Sequence, residues 1–336
     1  MGRTATILLG AAALVVGAGV SAQQTPPPGR ITTPEGAVMN SADDLAYKPG
    51  QLTQEQLMSS TANLFTGPAA NVFRRYPRDK TEAMVNFYTK ALALKSLNPI
   101  QLTATQQMLL TGVGHGQIKL SAGQQGTRKY DLAGGVTGGT GIRYFMLTYP
   151  DKRTVIERFT AAGFPAPKFS KQSDGTEAAL VSDPGGFPIE IVIKSGAKDG
   201  SNDGVGVGIN TSDLERSRAF YRTFVGLPEK PPVKDKLLGI TKYPFQRGET
   251  TLYLYHAGND AHPDNGSAGI QYVVSDSPLV DAKAKARHIA VETPLNKLKG
   301  FDLITVWLND PDGVTNYYAQ LGPGSRTARA HASAGN

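Results

Sequence analysis

The residues whose side chains are best suited to chemistry lie in a turn and strand that occur twice. Ser182–Ile193 reads SDPGGFPIEIVI, and Asn309–Leu321 reads NDPDGVTNYYAQL. Four residues after the glycine that ends each Asp-Pro-x-Gly turn, the first copy has Glu190 and the second has Tyr317. A carboxylate on a strand can bind a divalent metal or transfer a proton, whereas a phenol offers an aromatic face and a hydroxyl group. The repeated strand therefore changes its chemistry from one copy to the other.

The other reactive side chains form no recognisable catalytic or metal-binding motif. The sequence has no cysteine, which excludes disulfides, thiolate metal sites and a cysteine nucleophile. Its five histidines show no spacing typical of a metal site: His115, His256, His262, His288 and His331. There is no Gly-x-Ser-x-Gly elbow, no phosphate-binding loop and no dinucleotide fingerprint. Glu190 is therefore the one catalytic candidate in the sequence.

An internal duplication must position these side chains. Asn86–Leu94 (NFYTKALAL) is similar to Ala219–Leu227 (AFYRTFVGL), and Tyr144–Phe164 is similar to Ile270–Ile289. The polar, glycine-rich segment Ser195–Gly204 lies between the two copies. Within each copy, alternating apolar runs and capped helical patterns predict the order strand, helix and three strands twice. The sequence therefore predicts an α+β fold of four such units with mostly antiparallel sheet.

At this point the residues resemble a known family. Val205–Leu227 (VGVGINTSDLERSRAFYRTFVGL), together with NDPDGVTNYYAQL, resembles the vicinal oxygen chelate superfamily of glyoxalases, extradiol dioxygenases and bleomycin-resistance proteins. The resemblance covers about residues 68–322. It implies two tandem domains, 68–195 and 204–322, each a pair of βαβββ units that form a cup-shaped mixed or antiparallel sheet. In the enzymes of this family, side chains on the inner strands hold one divalent metal.

The resemblance also identifies the positions where the family has metal ligands. In this sequence they hold Val72, Lys119, Tyr144 and Glu190 in the first half, and Gly206, Tyr253, Gly269 or Ile270, and Tyr317 in the second. A usable site needs about three nitrogen or oxygen ligands with open positions left over. Only Glu190 is a clear ligand. We therefore expect no cofactor, with a divalent metal around Glu190 as the less favoured alternative.

The side chains at these positions have several possible roles. Glu190 is a surviving metal ligand, a catalytic acid or base with a pKa raised by burial, or one half of an ion pair with Lys119 that fills the place of the metal. Tyr253, Tyr272 and Tyr317 either line a pocket for a flat organic ligand or simply fill the cup. The predicted ligand-binding residues are Lys119, Tyr144, Glu190, Tyr253, Tyr272 and Tyr317.

The two ends of the chain have a different composition from its body. Arg3, the apolar run Ala5–Val20 and the small residues VSA predict a signal peptide over residues 1–22, cleaved after Ala22. An uncleaved anchor is the alternative, because the apolar length is borderline for a membrane span. Residues 23–67 are predicted to be a proline-rich linker with a short helical extension, in which Thr53 and Gln56 form a capping box. Residues 323–336 are predicted to be disordered.

The net charge of the chain and its predicted export favour some classes of binding partner over others. The formal charge is +7 and the pI about 9.4, which favours anionic partners mildly. Export and the lack of a nucleic-acid motif argue against DNA or RNA. We expect a periplasmic or secreted monomer or homodimer, free of the membrane after signal cleavage, that binds a small organic, anionic or aromatic molecule in its cups. The alternative is a lyase, isomerase or dioxygenase of the same superfamily with an atypical metal site around Glu190.

Overall fold

The computed structural model of the protein describes residues 29–103, 106–123, 126–199, 203–258, 262–298 and 301–322. The predicted signal peptide and the predicted disordered tail therefore lie outside the described residues. Within the described ranges, no helix is long and apolar enough to cross a bilayer.

The body of the chain consists of four units with the same order of elements. Each has a strand, a helix and then three strands, as the sequence predicts. Unit 1 contains β3 (Asn71–Tyr76), α2 (Thr81–Asn86), β4 (Lys95–Thr103), β5 (Gln106–Val113) and β6 (Gly116–Ala122). Unit 2 contains β7 (Gly141–Tyr149), α3 (Lys152–Ala161), β8 (Ser170–Lys171), β9 (Glu177–Ser182) and β10 (Pro188–Ile193). Unit 3 contains β11 (Gly206–Asn210), α4 (Leu214–Ala219), β12 (Val233–Asp235), β13 (Ile240–Arg247) and β14 (Thr250–Tyr255). Unit 4 contains β15 (Ala268–Val274), α5 (Ser277–Ala286), β16 (Val291–Lys297), β17 (Leu303–Asn309) and β18 (Thr315–Leu321).

A short N-terminal arm precedes the units. It contains β1 (Arg30–Thr32), β2 (Val38–Ser41) and α1 (Gln54–Met58). The capping box of Thr53 and Gln56 at the start of α1 is confirmed. The expectation of an extended linker is wrong for residues 30–41, because β1 and β2 form a hairpin and β2 adds to the edge of a sheet beside β16.

The four units form two curled sheets, which confirms the α+β class and the cup-shaped architecture. A ten-stranded sheet has the order β1-β2-β16-β17-β18-β15-β3-β6-β5-β4, and an eight-stranded sheet has the order β12-β13-β14-β11-β7-β10-β9-β8. Within each unit the first strand is parallel to the fourth. Between paired units the two first strands are antiparallel, β3 with β15 and β7 with β11.

The pairing of units differs from the tandem arrangement expected from the sequence. The ten-stranded sheet joins units 1 and 4, and the eight-stranded sheet joins units 2 and 3. The expectation that each half of the chain forms its own sheet is therefore wrong.

Side-chain size in the first strands is a physical reason for this pairing. Phe73 lies opposite Gly269, and Tyr144 lies opposite Gly208. A Cβ atom at Gly269 or at Gly208 would lie 1.8 Å from the facing ring. Units 1 and 2 each supply an aromatic ring at this position, and units 3 and 4 each supply a glycine. If unit 1 paired with unit 2, two rings would face each other. A ring faces a glycine only when a unit of the first half pairs with a unit of the second half.

The hydrophobic core lies between the two sheets, on the faces opposite the cups, and the helices fill it. The same hydrogen bond occurs in both copies of the duplication. Tyr88 Oη donates to Asp183 at 3.1 Å, and Tyr221 Oη donates to Asp310 at 2.8 Å. Each joins the end of a helix to an Asp-Pro-x-Gly turn. The duplicated sequence motifs therefore hold the core together and leave the concave faces free.

Candidate ligand-binding cups

Each sheet encloses a cavity on its concave face. The cavity of the ten-stranded sheet, here the ten-stranded cup, has a volume of about 530 Å³. The cavity of the eight-stranded sheet, the eight-stranded cup, has a volume of about 720 Å³. Both lie in the size range typical of small-molecule sites.

A buried triad of charged groups lies in the eight-stranded cup. Lys242 Nζ is 2.6 Å from Glu190 Oε2 and 2.5 Å from Asp235 Oδ2. The two carboxyl groups also share a hydrogen bond. All three side chains are buried, so the ammonium group of Lys242 neutralises carboxylates that would otherwise be costly to bury.

Two tyrosine rings complete the surroundings of Lys242. Its Nζ lies 5.1 Å from the centres of the rings of both Tyr144 and Tyr253, within the range of cation–π attraction. The hydroxyl group of Tyr144 is buried and has no hydrogen-bond partner among the described residues. The structure therefore brings together three of the predicted residues: Tyr144, Glu190 and Tyr253.

The proton affinity of Glu190 is strongly changed by this environment. Burial raises its pKa, Lys242 lowers it and the hydrogen bond with Asp235 raises it again, with a result of about 7. Burial is the largest of these effects. The protonated form of Glu190 is therefore more stable here than in water.

In the ten-stranded cup, a single lysine lies on a floor of amide and hydroxyl groups. Lys119 Nζ donates to Gln271 Oε1 at 2.6 Å, and Asn71 Nδ2 donates to the same oxygen at 3.1 Å. Tyr317 also interacts with Gln271 through a side-chain hydrogen bond. Two further predicted residues, Lys119 and Tyr317, are therefore brought together here.

Lys119 has no acidic partner within the part of the chain that the structure describes. It takes part in none of the ion pairs found there, and burial alone lowers its pKa to about 8. A buried ammonium group without a carboxylate is costly unless something else compensates its charge. This property distinguishes Lys119 from Lys242.

The walls of the ten-stranded cup are mostly apolar. They include Val38, Met39, Phe73, Ile100, Met108, Leu303, Trp307 and Leu321. Three lining residues carry a buried polar atom without a hydrogen-bond partner among the described residues: Glu35 Oε2, Asn71 Oδ1 and Trp307 Nε1. Such atoms are costly when they are buried without a partner.

A charged group of two arginines and two glutamates closes one end of the ten-stranded cup. Glu35, in the N-terminal arm, forms ion pairs with Arg75 and Arg128, the latter at 2.8 Å. Arg128 Nη1 also lies 2.8 Å from Glu292 Oε1. Burial acts to raise the pKa of Glu35, but the two arginines prevail and hold it below its ordinary value.

Two predictions about the site are wrong. Lys119 and Glu190 do not form an ion pair, because they lie at equivalent inner-strand positions of units 1 and 2, which belong to different sheets. Tyr272 does not line a cup. Alternation along β15 turns Gln271 to the cup and Tyr272 to the core, where its ring stacks on Phe65 at 5.0 Å.

Several residues of the cups were not found from the sequence. Arg75 lies in a strand that is buried throughout, and Lys242 takes one of the buried positions of β13. A charged residue at a buried strand position is a signal that could have identified them. Gln271 has the weaker signal of a polar residue inside an apolar strand. Glu35 has none, because its role depends on the fold of the N-terminal arm.

The residues present do not fit the divalent metal that the family resemblance implies. In the eight-stranded cup, Lys242 already holds both carboxylates. In the ten-stranded cup, the equivalent floor consists of Asn71, Lys119, Gln271 and Tyr317, with no carboxylate and one ammonium group. Within the described residues, no cluster of three or more histidine, aspartate or glutamate side chains is placed to bind a metal.

Comparisons with known proteins agree with this fold. Residues 205–318 match the Glyoxalase/Bleomycin resistance protein/Dioxygenase superfamily. No curated protein matches the chain. Among solved structures, glyoxalase I from Zea mays is 19% identical over 75% of this chain and 92% of its own, with a TM-score of 0.58. A putative dioxygenase from Bacillus subtilis is 13% identical over 79% of this chain and 87% of its own, with a TM-score of 0.53.

At these identities the solved structures establish the fold alone, while the superfamily match rests on the sequence of units 3 and 4. The sequence of residues 205–318 is therefore similar to the Glyoxalase/Bleomycin resistance protein/Dioxygenase superfamily, and the four units have the cup-shaped fold seen in the solved structures.

Proposed function

We propose that this protein binds a small organic monoanion in the ten-stranded cup, without a metal at the family's usual position. The observation that carries this proposal is Lys119, a buried ammonium group that lines the cavity and has no acidic partner among the described residues. An anionic group of a ligand would supply that partner.

The charges in and around the cup support a single negative charge on the ligand. Lys119, Arg75 and Arg128 are opposed by two carboxylates, Glu35 and Glu292. The group therefore carries one excess positive charge when all five are ionised. One bound anion makes it neutral, which is the favoured state of a buried site.

The walls support an apolar, flat body for the ligand. Trp307 and Phe73 lie on different strands of the same concave face, and aromatic walls with a few placed polar groups are typical of sites for organic molecules. The ligand class is thus an aromatic or otherwise apolar carboxylate, or a related anion.

A second candidate function concerns the eight-stranded cup. Glu190 has a pKa of about 7 and shares hydrogen bonds with Asp235 and Lys242 at the wall of an open cavity. Such a carboxyl group is suited to proton transfer. An enzyme of the lyase or isomerase type at this cup is therefore the alternative that the geometry supports, and the position of Lys242 argues against a metal there.

Export remains part of the proposal on the strength of the N-terminal sequence. A positive Arg3, the apolar run to Val20 and the small residues before Gln23 favour cleavage and release from the membrane. Mass spectrometry of the mature protein decides this point, because a chain beginning at Gln23 is expected and an intact N-terminus in the membrane fraction would contradict it.

The binding proposal can be tested with benzoate as the probe. Trp307 is the one tryptophan of the chain, so its fluorescence reports occupation of the ten-stranded cup. We expect a saturable change in the wild type, an affinity at least roughly tenfold lower for Lys119→Met, and no effect of a chelator. Lys234→Met, at the rim of the other cup, is the matched control. Equal affinity in Lys119→Met, or loss of binding with the chelator, would contradict the proposal.

A further inference from the structure

The N-terminal arm is built into the wall of the ten-stranded cup. Besides the β2–β16 pairing, the carbonyl oxygen of Pro34 accepts a hydrogen bond from Thr127 N at 2.8 Å. Gly126 permits this approach, since a Cβ atom there would lie 1.2 Å from the Pro34 oxygen. Four arm residues besides Glu35 line the cavity: Thr33, Ala37, Val38 and Met39.

The carboxylate of Glu35 interacts with the side chain of Thr33 as well as with two arginines. Its Oε1 atom receives Arg75 and Arg128. Its Oε2 atom is buried without a hydrogen-bond partner among the described residues, although the residue lines the cavity. A carboxylate held ionised by two arginines is a strong hydrogen-bond acceptor. A hydrogen-bond donor on a ligand would complete the pairing of Oε2.

The two polar ends of the cup lie a short distance apart. Lys119 is beside Phe73 in the β3–β6 pairing, and Arg75, which binds Glu35, is two residues further along β3. Two residues of strand span about 7 Å and point to the same face of the sheet, so Lys119 and Arg75 lie on the same concave face. A cationic donor is disfavoured at Glu35 because both arginines are adjacent, so a neutral hydroxyl or amide N–H fits best.

We infer that Glu35 is a second recognition residue of the ten-stranded cup and selects monoanions that carry a neutral hydrogen-bond donor at the end opposite the anionic group. This inference rests on the proposed binding of the anion at Lys119. It assigns to the N-terminal arm a direct part in ligand specificity, and it defines the ligand class as hydroxylated or amide-bearing apolar acids.

The test compares three probes through the fluorescence of Trp307: benzoate, 4-hydroxybenzoate and 4-methoxybenzoate. In the wild type we expect 4-hydroxybenzoate to bind at least roughly tenfold more tightly than benzoate. The methoxy compound, which has no donor, should bind no more tightly than benzoate. In Glu35→Gln, benzoate should bind slightly more tightly because a negative charge is lost, while the advantage of the hydroxyl group should fall to about threefold or less.

Gly126→Ala is a second test of the role of Glu35, and it changes no side chain that lines the cavity. It displaces the arm at Pro34 and should reduce the hydroxyl advantage as Glu35→Gln does. Glu82→Gln, an exposed glutamate on α2, is the control and should keep the full advantage.

The outcomes separate the two proposals. If benzoate does not bind at millimolar concentration, the proposed function itself is contradicted. If benzoate binds in a Lys119-dependent manner but the hydroxyl group gives no advantage, or the advantage persists in Glu35→Gln, only the role of Glu35 is overturned.

Discussion

At the level of single residues, each cup contains a buried lysine, and the two lysines differ in what balances their charge. Lys242 has Glu190 and Asp235 at hydrogen-bond distance, whereas Lys119 has the neutral amide of Gln271. Removing one member of the Lys242 group would leave a buried charge unpaired, whereas an anionic ligand would pair the charge of Lys119. This contrast is why we assign binding to the ten-stranded cup.

Loss of Lys242 should destabilise the protein strongly. Lys242→Met leaves Glu190 and Asp235 without their cation, and removing one partner of a buried pair typically costs about 3–5 kcal/mol. Glu190→Gln should cost less than about 1 kcal/mol at pH 7, because Lys242 keeps Asp235 and the amide resembles the protonated acid. Urea unfolding of both variants, with Lys234→Met as the exposed control, measures these differences. A Lys242→Met variant as stable as the wild type would disprove the role of this triad.

Asp310 should make stability fall as the pH rises. Burial and the nearby charge of Asp312 raise its pKa to about 7 from an ordinary value of 3.8. Because the folded state holds the proton more tightly, the stabilising contribution is complete below about pH 4 and is lost as the pH rises through 7.

Asp310→Asn removes this titration. Relative to that variant, the wild type should lose up to about 4 kcal/mol of unfolding free energy between pH 4 and pH 8. Denaturant unfolding across this pH range is the measurement, with the exposed Glu82→Gln as control. Parallel pH profiles of Asp310→Asn and the wild type would contradict the expectation.

The sequence indicated that Glu190 needs a cationic partner, but the predicted partner, Lys119, was wrong. Lys119 and Glu190 occupy equivalent positions of neighbouring units, which made pairing look natural. The actual partner, Lys242, comes from unit 3. A contact between residues 52 positions apart in sequence, across two units, depends on sheet pairing that the local pattern does not contain.

At the level of elements, an aromatic ring on one first strand packs over a glycine on the facing first strand, and one such pair joins the two units of each sheet. Phe73 occupies the space over Gly269, and Tyr144 the space over Gly208. Each pair lies where the first strands of two units meet, and Phe73 also lines the ten-stranded cup.

An added methyl group at Gly269 should disturb this contact. Gly269→Ala should cost about 1–3 kcal/mol, since the new Cβ atom overlaps the ring of Phe73. The cost should shrink in a Phe73→Ala background, and a double-mutant cycle gives the coupling. Gly112→Ala, where the nearest atom is at 3.7 Å, is the control. Equal costs of Gly269→Ala in both backgrounds would disprove the contact.

The elements of the units were predictable because each has a local signal. Alternation identifies the strands, and capping residues mark the starts of helices, as Thr53 does for α1. The hairpin of the N-terminal arm was not predictable, because a proline-rich stretch has no periodicity of its own and gains its strands only by pairing with β16.

At the level of the whole molecule, the two halves of the chain exchange units. Unit 1 completes its sheet with unit 4, and units 2 and 3 complete the other. The duplication was visible in the sequence, but all four units carry similar apolar first strands, so the pattern could not determine which would pair.

Separate halves should therefore fail to fold alone. Residues 29–199 contain β3 and β7 without their antiparallel partners β15 and β11. We expect neither this fragment nor residues 203–322 to unfold cooperatively as a monomer, and we expect the mixture of both to recover a cooperative transition. Circular dichroism during thermal melting is the measurement, and a cooperative, monomeric half would contradict the exchanged pairing.

The most direct measurement of the central claim is the titration of Lys119 by nuclear magnetic resonance, with ¹³C-labelled lysine and Lys119→Met for assignment. We predict a pKa of about 8 for the free protein. Saturating benzoate should raise this pKa, because the bound anion stabilises the ammonium form. If the pKa of Lys119 were the same with and without saturating benzoate, the account would be contradicted.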